Sequence, residues 1–233
     1  MSAGGSDNHH PLHERLPEPP RHSLDEPTTP RVLLILSSVV EKLVARNDKL
    51  MVELKSGSSV ENHLRKSLDT FHGVRTPGIS ISKYLERIYK YTNCSPSCFV
   101  VGYMYIDRLV HRYPDFLVVS LNVHRLLVTC IMVASKMLDD EHYNNAFFAR
   151  VGGVTNAELN RLEVELLFML DFGLNVSSGN FECYCQHLEK QVMIFDDGLI
   201  TNGVERLTIT NSIDDITELS VENDVQSSSP SEI

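Results

Sequence analysis

The segment from Asn122 to Asp139 constrains this chain more than any other. Val123, Leu126, Leu127, Val128, Cys130, Ile131, Val133, Ala134, Met137 and Leu138 recur at helical spacing, yet together they cover most of the helix circumference. A helix that is apolar nearly all round has to be enclosed by neighbours on several sides. Its larger polar residues, Arg125, Thr129 and Lys136, fall at spacings of four and seven, on one narrow stripe. The segment therefore predicts a central helix with one edge reaching the surface.

The enclosing helices are legible on either side. Thr29 is a candidate cap for a helix with Pro30 at its first position and Val32, Leu33, Leu36, Val39, Val40 and Leu43 at helical spacing. Residues 55–78 read as looser. Ile81, Tyr84, Leu85, Ile88 and Tyr91 share one face after the possible caps Ser80 and Ser82, and that helix stops around Asn93. Ser95 and Pro96 are a cap and first-turn proline for a helix to about Arg112, which Pro114 cannot continue. A short helix from about Asn145 to Val151 ends at Gly152 and Gly153. Thr155 and Glu158 form a capping box for a helix bearing Leu159, Leu162, Leu166, Met169 and Leu170, closed by Gly173. A trailing amphipathic segment carries Phe181, Tyr184, Cys185, Leu188 and Val192. The fold expected is all-α, with a flanking helix, five helices of which the third is central, a trailing helix and short connections.

Charge divides the 233 residues in three. Residues 1–29 carry net -3, residues 30–195 net +1 and residues 196–233 net -8. Six of the ten prolines lie in the first 30 residues. Neither end holds enough apolar surface to offset the entropy of ordering it. The expected division is a disordered flank over 1–28, a helical domain over 29–195 and an acidic disordered tail over 196–233. A middle of net +1 offers no broad basic face for nucleic acid. No run of about 18 apolar residues is present for a membrane span. Five cysteines do not make a disulfide framework, which points to a reducing compartment, nucleus or cytoplasm.

Catalytic and metal chemistry finds little support. There is no phosphate-binding loop, dinucleotide fingerprint or zinc-protease motif. Cys183 and Cys185, two apart on one helix, point to different sides, so Cys183, Cys185 and His187 are a weak metal set beside a buried Cys185 and a partly exposed Cys183. Cys94 and Cys98 straddle a helix start and read as structural. Asp139, Asp140, Glu141 and His142 read as a solvated turn. No cofactor and no small-molecule substrate are expected.

Particular residues resemble the cyclin box. Tyr105-Ile106-Asp107-Arg108 matches the "YIDR" of many cyclins. Ala134-Ser135-Lys136-Met137-Leu138-Asp139-Asp140 matches the stretch that closes the family's third box helix, and Arg161-Leu162-Glu163 matches the R-x-E of its fifth, ahead of Leu170-Asp171-Phe172. The order and separations also match, over about residues 79–172, with the helix at 30–46 as an N-terminal addition. A single box with Phe71-His72-Gly73 upstream and short acidic ends is most similar to the plant P-type or U-type cyclins, which resemble the fungal phosphate-signalling cyclins. The resemblance implies a non-catalytic, activating subunit of a cyclin-dependent kinase, most simply of the PSTAIRE type, in cell-cycle or nutrient-linked growth control.

By the same matching, Lys136 and Glu163 stand where the family's paired lysine and glutamate hold backbone groups ahead of the kinase C-helix. On the residues alone, an internal salt bridge or a lysine neutralising a helix C-terminus is the simpler reading. The resemblance favours kinase contact. One departure stands out. Where mitotic and S-phase cyclins carry the substrate-docking "MRAIL" run, this chain has Gly78-Ile79-Ser80-Ile81-Ser82. The R-x-x-L sequences at Arg21–Leu24 and Arg65–Leu68 are too short to count as destruction boxes. The alternative function is a single-box adaptor that contacts transcription machinery without activating a kinase, which a middle of net +1 supports less well.

Overall fold

The computed structural model describes residues 29–55 and 69–196. The expected flank 1–28, the acidic tail from 197 onward and the R-x-x-L segments at 21–24 and 65–68 lie outside the described residues. Seven α-helices are present and, among the described residues, no strand: α1 (Arg31–Lys55), α2 (Ile81–Thr92), α3 (Pro96–Arg112), α4 (Val123–Leu138), α5 (Asn145–Gly152), α6 (Asn156–Met169) and α7 (Ser178–Asp196). A 3-10 turn over Asp69–Phe71 precedes α2. No helix among the described residues is long and apolar enough to cross a membrane.

Helix α4 lies at the centre, packed against α3 most extensively and also against α2, α5 and α6. Twelve of its sixteen residues are buried, Thr129 and Ser135 among them. The polar stripe expected at the surface is thus interrupted at Thr129. Its hydroxyl and that of Ser135 donate back to the carbonyls of Arg125 (2.7 Å) and Met132 (2.9 Å), which satisfies both inside the core. Gly102 lets α3 approach. A Cβ at that position would sit 3.2 Å from the Ile131 nitrogen and 3.3 Å from the Cys130 carbonyl carbon, in the backbone of α4.

Helix α1 continues well past residue 46, and polar residues are the reason. Asn47 is buried and donates from Nδ2 to the Val118 carbonyl at 3.0 Å. Asp48 accepts from the Ser120 amide at 3.0 Å and from the Ser120 hydroxyl. The extra turns are held by the α3–α4 connection and not by an apolar stripe. Pro30 stands outside the helix, its carbonyl accepting from Leu33.

Several expected caps are built, some by other partners. Ser80 accepts from the Lys83 amide, which decides between the two serines before α2, and Asn93 ends that helix in the left-handed region (φ 48°). Thr155 caps α6 by accepting from the Glu158 amide at 3.1 Å. The reciprocal half of that capping box is missing, because the Glu158 carboxylate is paired to Arg125 Nε at 2.7 Å. Ser95 makes no side-chain cap for α3. In its place Asp139, read from sequence as part of a solvated turn, accepts from the Ser95 amide (3.1 Å) and from the Cys98 thiol (3.2 Å). A carboxylate at a helix start complements the positive end of the dipole.

The Tyr-Ile-Asp-Arg run ties α3 to everything after α6. The Tyr105 hydroxyl donates to the Leu174 carbonyl at 2.9 Å, and Arg108 donates to the carbonyls of Gly173 (2.7 Å) and Asn175 (2.9 Å). Buried Asp107 accepts from the Tyr184 hydroxyl of α7 at 2.5 Å. Burial pushes the Asp107 carboxyl above its ordinary 3.8, with Tyr184 and His111 opposing.

Two predictions follow from this packing. Gly102→Val drives two methyl groups into the α4 backbone and should cost about 1–3 kcal/mol, read as a lowered urea midpoint; an unchanged midpoint contradicts the close approach. The second concerns Asp107. A carboxyl whose folded-state pKa is raised helps folding while protonated, and that help is lost as pH rises from the ordinary carboxylate value through the folded one. Asp107→Asn stays neutral and keeps an acceptor for Tyr184. Its stability relative to the parent should therefore improve as pH rises above the ordinary carboxylate value. A relative stability independent of pH contradicts the raised pKa.

Candidate functional site

Lys136 is the last basic residue of α4 and sits at the end where the helix leaves the core. Glu163 projects from the middle of α6, one turn beyond the buried Leu159 and next to the buried Leu162. The fold brings the two together. Lys136 Nζ lies 2.5 Å from Glu163 Oε1, with the side chains 28% and 18% exposed. The pair is shielded yet open to a partner.

A third residue completes the arrangement. Asn145, the first residue of α5, donates from Nδ2 to Glu163 Oε2 at 2.6 Å and to Asn160 Oδ1 at 2.8 Å. Both oxygens of Glu163 are therefore engaged, one by Lys136 and one by Asn145. Sequence reading missed Asn145, because nothing in its spacing distinguishes it from Asn144, whose side chain caps α5 by accepting from Phe147 at 3.0 Å. Lysine carries three N–H donors and a carboxylate about four acceptor positions. One donor and two acceptor positions are engaged here, so the pair can still receive a backbone carbonyl and a backbone amide together.

Exposed apolar side chains occur on the same elements as the pair. Nine large hydrophobic residues are exposed among the described residues, and six of them lie on α4, α6 or the connections that follow them: Met137, Leu138, Tyr143, Val164, Phe168 and Phe172. Val164 and Phe168 are four apart on α6, and Phe168 meets Phe172 edge to face at 5.4 Å between centroids. Tyr143 stacks on Phe147 at 3.9 Å. Apolar side chains exposed together, as Phe168 and Phe172 are, mark surfaces for a partner.

The end of α6 departs from the expected glycine stop. Asp171 and Phe172, not Gly173, adopt the left-handed conformation, with φ of 52° and 56°. For a phenylalanine this backbone costs on the order of 1–2 kcal/mol. The turn is held by Phe172 donating to the Leu167 carbonyl (2.9 Å) and Gly173 donating to that of Leu170 (2.9 Å), with Arg108 gripping Gly173 from outside. Strain of this kind accumulates at working surfaces, and here it turns the Phe172 ring outward, 59% exposed.

The other candidate groups have different surroundings. Cys183 and Cys185 are both half-buried, since Tyr184 and Leu188 take the inner face of α7, so Cys185 is less enclosed than expected. Among the described residues no three His, Cys, Asp or Glu gather as metal ligands. Cys94 and Cys98 are buried. The Cys98 thiol is pushed far up, first by its hydrogen bond to Cys94 and then by burial.

In the free protein, a partly exposed ion pair contributes roughly 0–1 kcal/mol. Lys136→Ala should therefore leave the thermal midpoint of the isolated chain within about 2–4 °C of the parent. A loss several times larger would make the pair a structural element and remove the reason to assign it to a partner.

Comparison with known proteins points the same way as the geometry. The family model described as Cyclin matches residues 30–174, which takes in α1 as well as the five box helices. Cyclin-U1-1 of Arabidopsis thaliana is 64% identical over 174 residues, 75% of this chain and 80% of that protein. Cyclin-U4-1 of the same plant is 46% identical over 160 residues, 67% of this chain and 79% of its own. Cyclin-P3-1 of Oryza sativa subsp. japonica is 42% identical over 187 residues, 80% and 74% of the two chains.

Proposed function

This chain belongs to the cyclin family, with plant U-type and P-type cyclins as its relatives, and from that premise we propose that it is the activating subunit of a cyclin-dependent kinase whose C-helix it binds through Lys136 and Glu163. A cyclin is a regulatory protein, and its effect on a kinase is positional. The loop ahead of a kinase helix presents backbone carbonyls and amides that the helix itself leaves unpaired. The lysine offers donors to the carbonyls and the glutamate offers acceptors to the amides. Holding that loop fixes the helix behind it, and with it the charged group the helix contributes to the kinase site.

The observation that carries this reading is the 2.5 Å Lys136–Glu163 pair, braced by Asn145, on helices that also expose apolar side chains. An interface with a desolvated polar centre and aromatic neighbours has the make-up of a binding hot spot. Phe168 and Phe172 supply apolar area and the pair supplies register. A PSTAIRE-type kinase is the partner we assign, with the complex acting in the nucleus, the cytoplasm or both.

The test is affinity for a co-expressed PSTAIRE-type kinase, measured for Lys136→Ala, Glu163→Ala and the double variant. Truncating one partner of a hydrogen-bonded charge pair inside an interface costs about 2–5 kcal/mol, at least roughly 30-fold in Kd. The double variant should lose less than the product of the single losses, because both residues grip one loop. Unchanged affinity in either single variant, with matched circular dichroism, contradicts the assignment.

A further inference from the structure

Beside the turn that carries Phe172, the C-terminal end of α3 and the segment 170–175 flank a cleft of about 610 Å3 lined by Arg108, His111, Arg112, Leu170, Gly173 and Asn175. Three of these six residues carry a cationic or protonatable side chain, and none of the six carries a carboxylate. Arg108, His111 and Arg112 stand at i, i+3 and i+4, which places them on one face of α3. We propose that this cleft binds an organic phosphate monoester, independently of the kinase contact proposed above.

The donor inventory supports a tetrahedral anion. Arg108 uses one N–H of each terminal nitrogen on the carbonyls of Gly173 and Asn175, which fixes the guanidinium and leaves three of its five donors. Arg112 meets only a carboxylate oxygen of Asp171, at 3.3 Å across an exposed pair. His111 has its Nδ1 2.8 Å from the Asp107 carbonyl, while its Nε2 is buried without a hydrogen-bond partner. A buried polar nitrogen with no partner calls for an explanation. In a protonated ring that nitrogen is a donor to an anion in the cleft, while the Asp107 carboxylate lies 3.5 Å from Nδ1 on the inner side. Two guanidinium groups and an imidazole thus offer three separate donor groups, matching the three terminal oxygens of a phosphate monoester. A carboxylate is satisfied by one guanidinium, as Asp171 is.

The volume argues for an organic carrier. A cleft of several hundred Å3 suits a ligand larger than a bare oxyanion, and Leu170 provides an apolar wall beside the cations. The carrier is either a phosphorylated side chain of a protein or a small phosphorylated metabolite, and the chemistry of the anion is shared between them.

Asp171 is the built-in competitor. It occupies one edge of Arg112 while 75% exposed, so an incoming phosphate displaces it at little cost. Asparagine tolerates the left-handed backbone at this position, so Asp171→Asn removes the competing charge and keeps the turn.

The experiment is isothermal titration of the full chain with a phosphoserine peptide, its unphosphorylated form, glucose 6-phosphate and inorganic phosphate. The expected result is saturable binding of at least one phosphate monoester, weakened tenfold or more by Arg112→Met and tightened about two- to fivefold by Asp171→Asn. Tighter binding of the peptide identifies a protein partner, and tighter binding of the sugar phosphate identifies a metabolite. Arg112 makes no contact that the fold depends on, so the thermal midpoint of Arg112→Met should match the parent. Three results overturn the proposal: no saturable binding of either monoester below 10 mM, binding unchanged in both variants, or inorganic phosphate binding as tightly as the monoesters.

Discussion

Everything in this molecule depends on burying α4. A helix with twelve of sixteen residues out of solvent is stable only when neighbours cover nearly its whole circumference, and the hydrophobic stabilisation of that burial, on the order of 25 cal/mol per Å2 of apolar surface, outweighs the strength of any single polar contact. The consequences spread outward. Gly102 has to be small because α3 lies against the α4 backbone. Thr129 and Ser135 have to bond within their own helix because no water reaches them. Gly73 lies against the start of the same helix, its amide donating to the Leu121 carbonyl at 2.7 Å, and a Cβ there would displace the Arg125 guanidinium.

Polar groups act at the rim of this core, and they set geometry more than stability. Arg125 with Glu158 and Lys136 with Glu163 both join α4 to α6, so two ion pairs fix the relative position of the two helices. Asp139, three residues beyond Lys136, anchors the C-terminal end of α4 to the start of α3. Lys136 is therefore carried by a helix whose C-terminal end is tied to the start of α3. The Tyr-Ile-Asp-Arg run does comparable work just past the C-terminal end of α6. It draws residues 173–175 and α7 against α3, and in gripping Gly173 it supports the strained turn that turns Phe172 outward. Family motifs that look like labels in a sequence thus have mechanical roles in the fold.

The helices were legible because apolar periodicity reports burial directly, and α4 was the clearest because it is apolar nearly all round. What periodicity could not reveal is pairing between polar residues far apart in the chain. The last turns of α1 rest on Asn47 and Asp48, whose partners lie more than 70 residues away. Asp139 looked like a solvated acid because the donors it accepts from, the Ser95 amide and the Cys98 thiol, belong to another helix start. Glu158 looked like half of a capping box because local spacing gave no sight of Arg125. Of the candidate site, Lys136 and Glu163 were reached through resemblance and not through spacing, and their proximity is a property of the fold. Asn145, which braces Glu163, left no signal. The tail with its net charge of -8 was described from composition alone and lies outside the described residues.

The central claim is that Lys136 and Glu163 face a kinase loop and are not merely bonded to each other. Exchanging them, Lys136→Glu with Glu163→Lys, separates the two roles. The exchanged pair keeps opposite charges on α4 and α6, so an internal salt bridge survives and the thermal midpoint should stay within a few degrees of the parent. The donors and acceptors offered to a partner are reversed in position, so affinity for the kinase should fall as far as in the single alanine variants, roughly 30-fold or more. An exchanged variant that folds and binds the kinase as tightly as the parent would contradict the account.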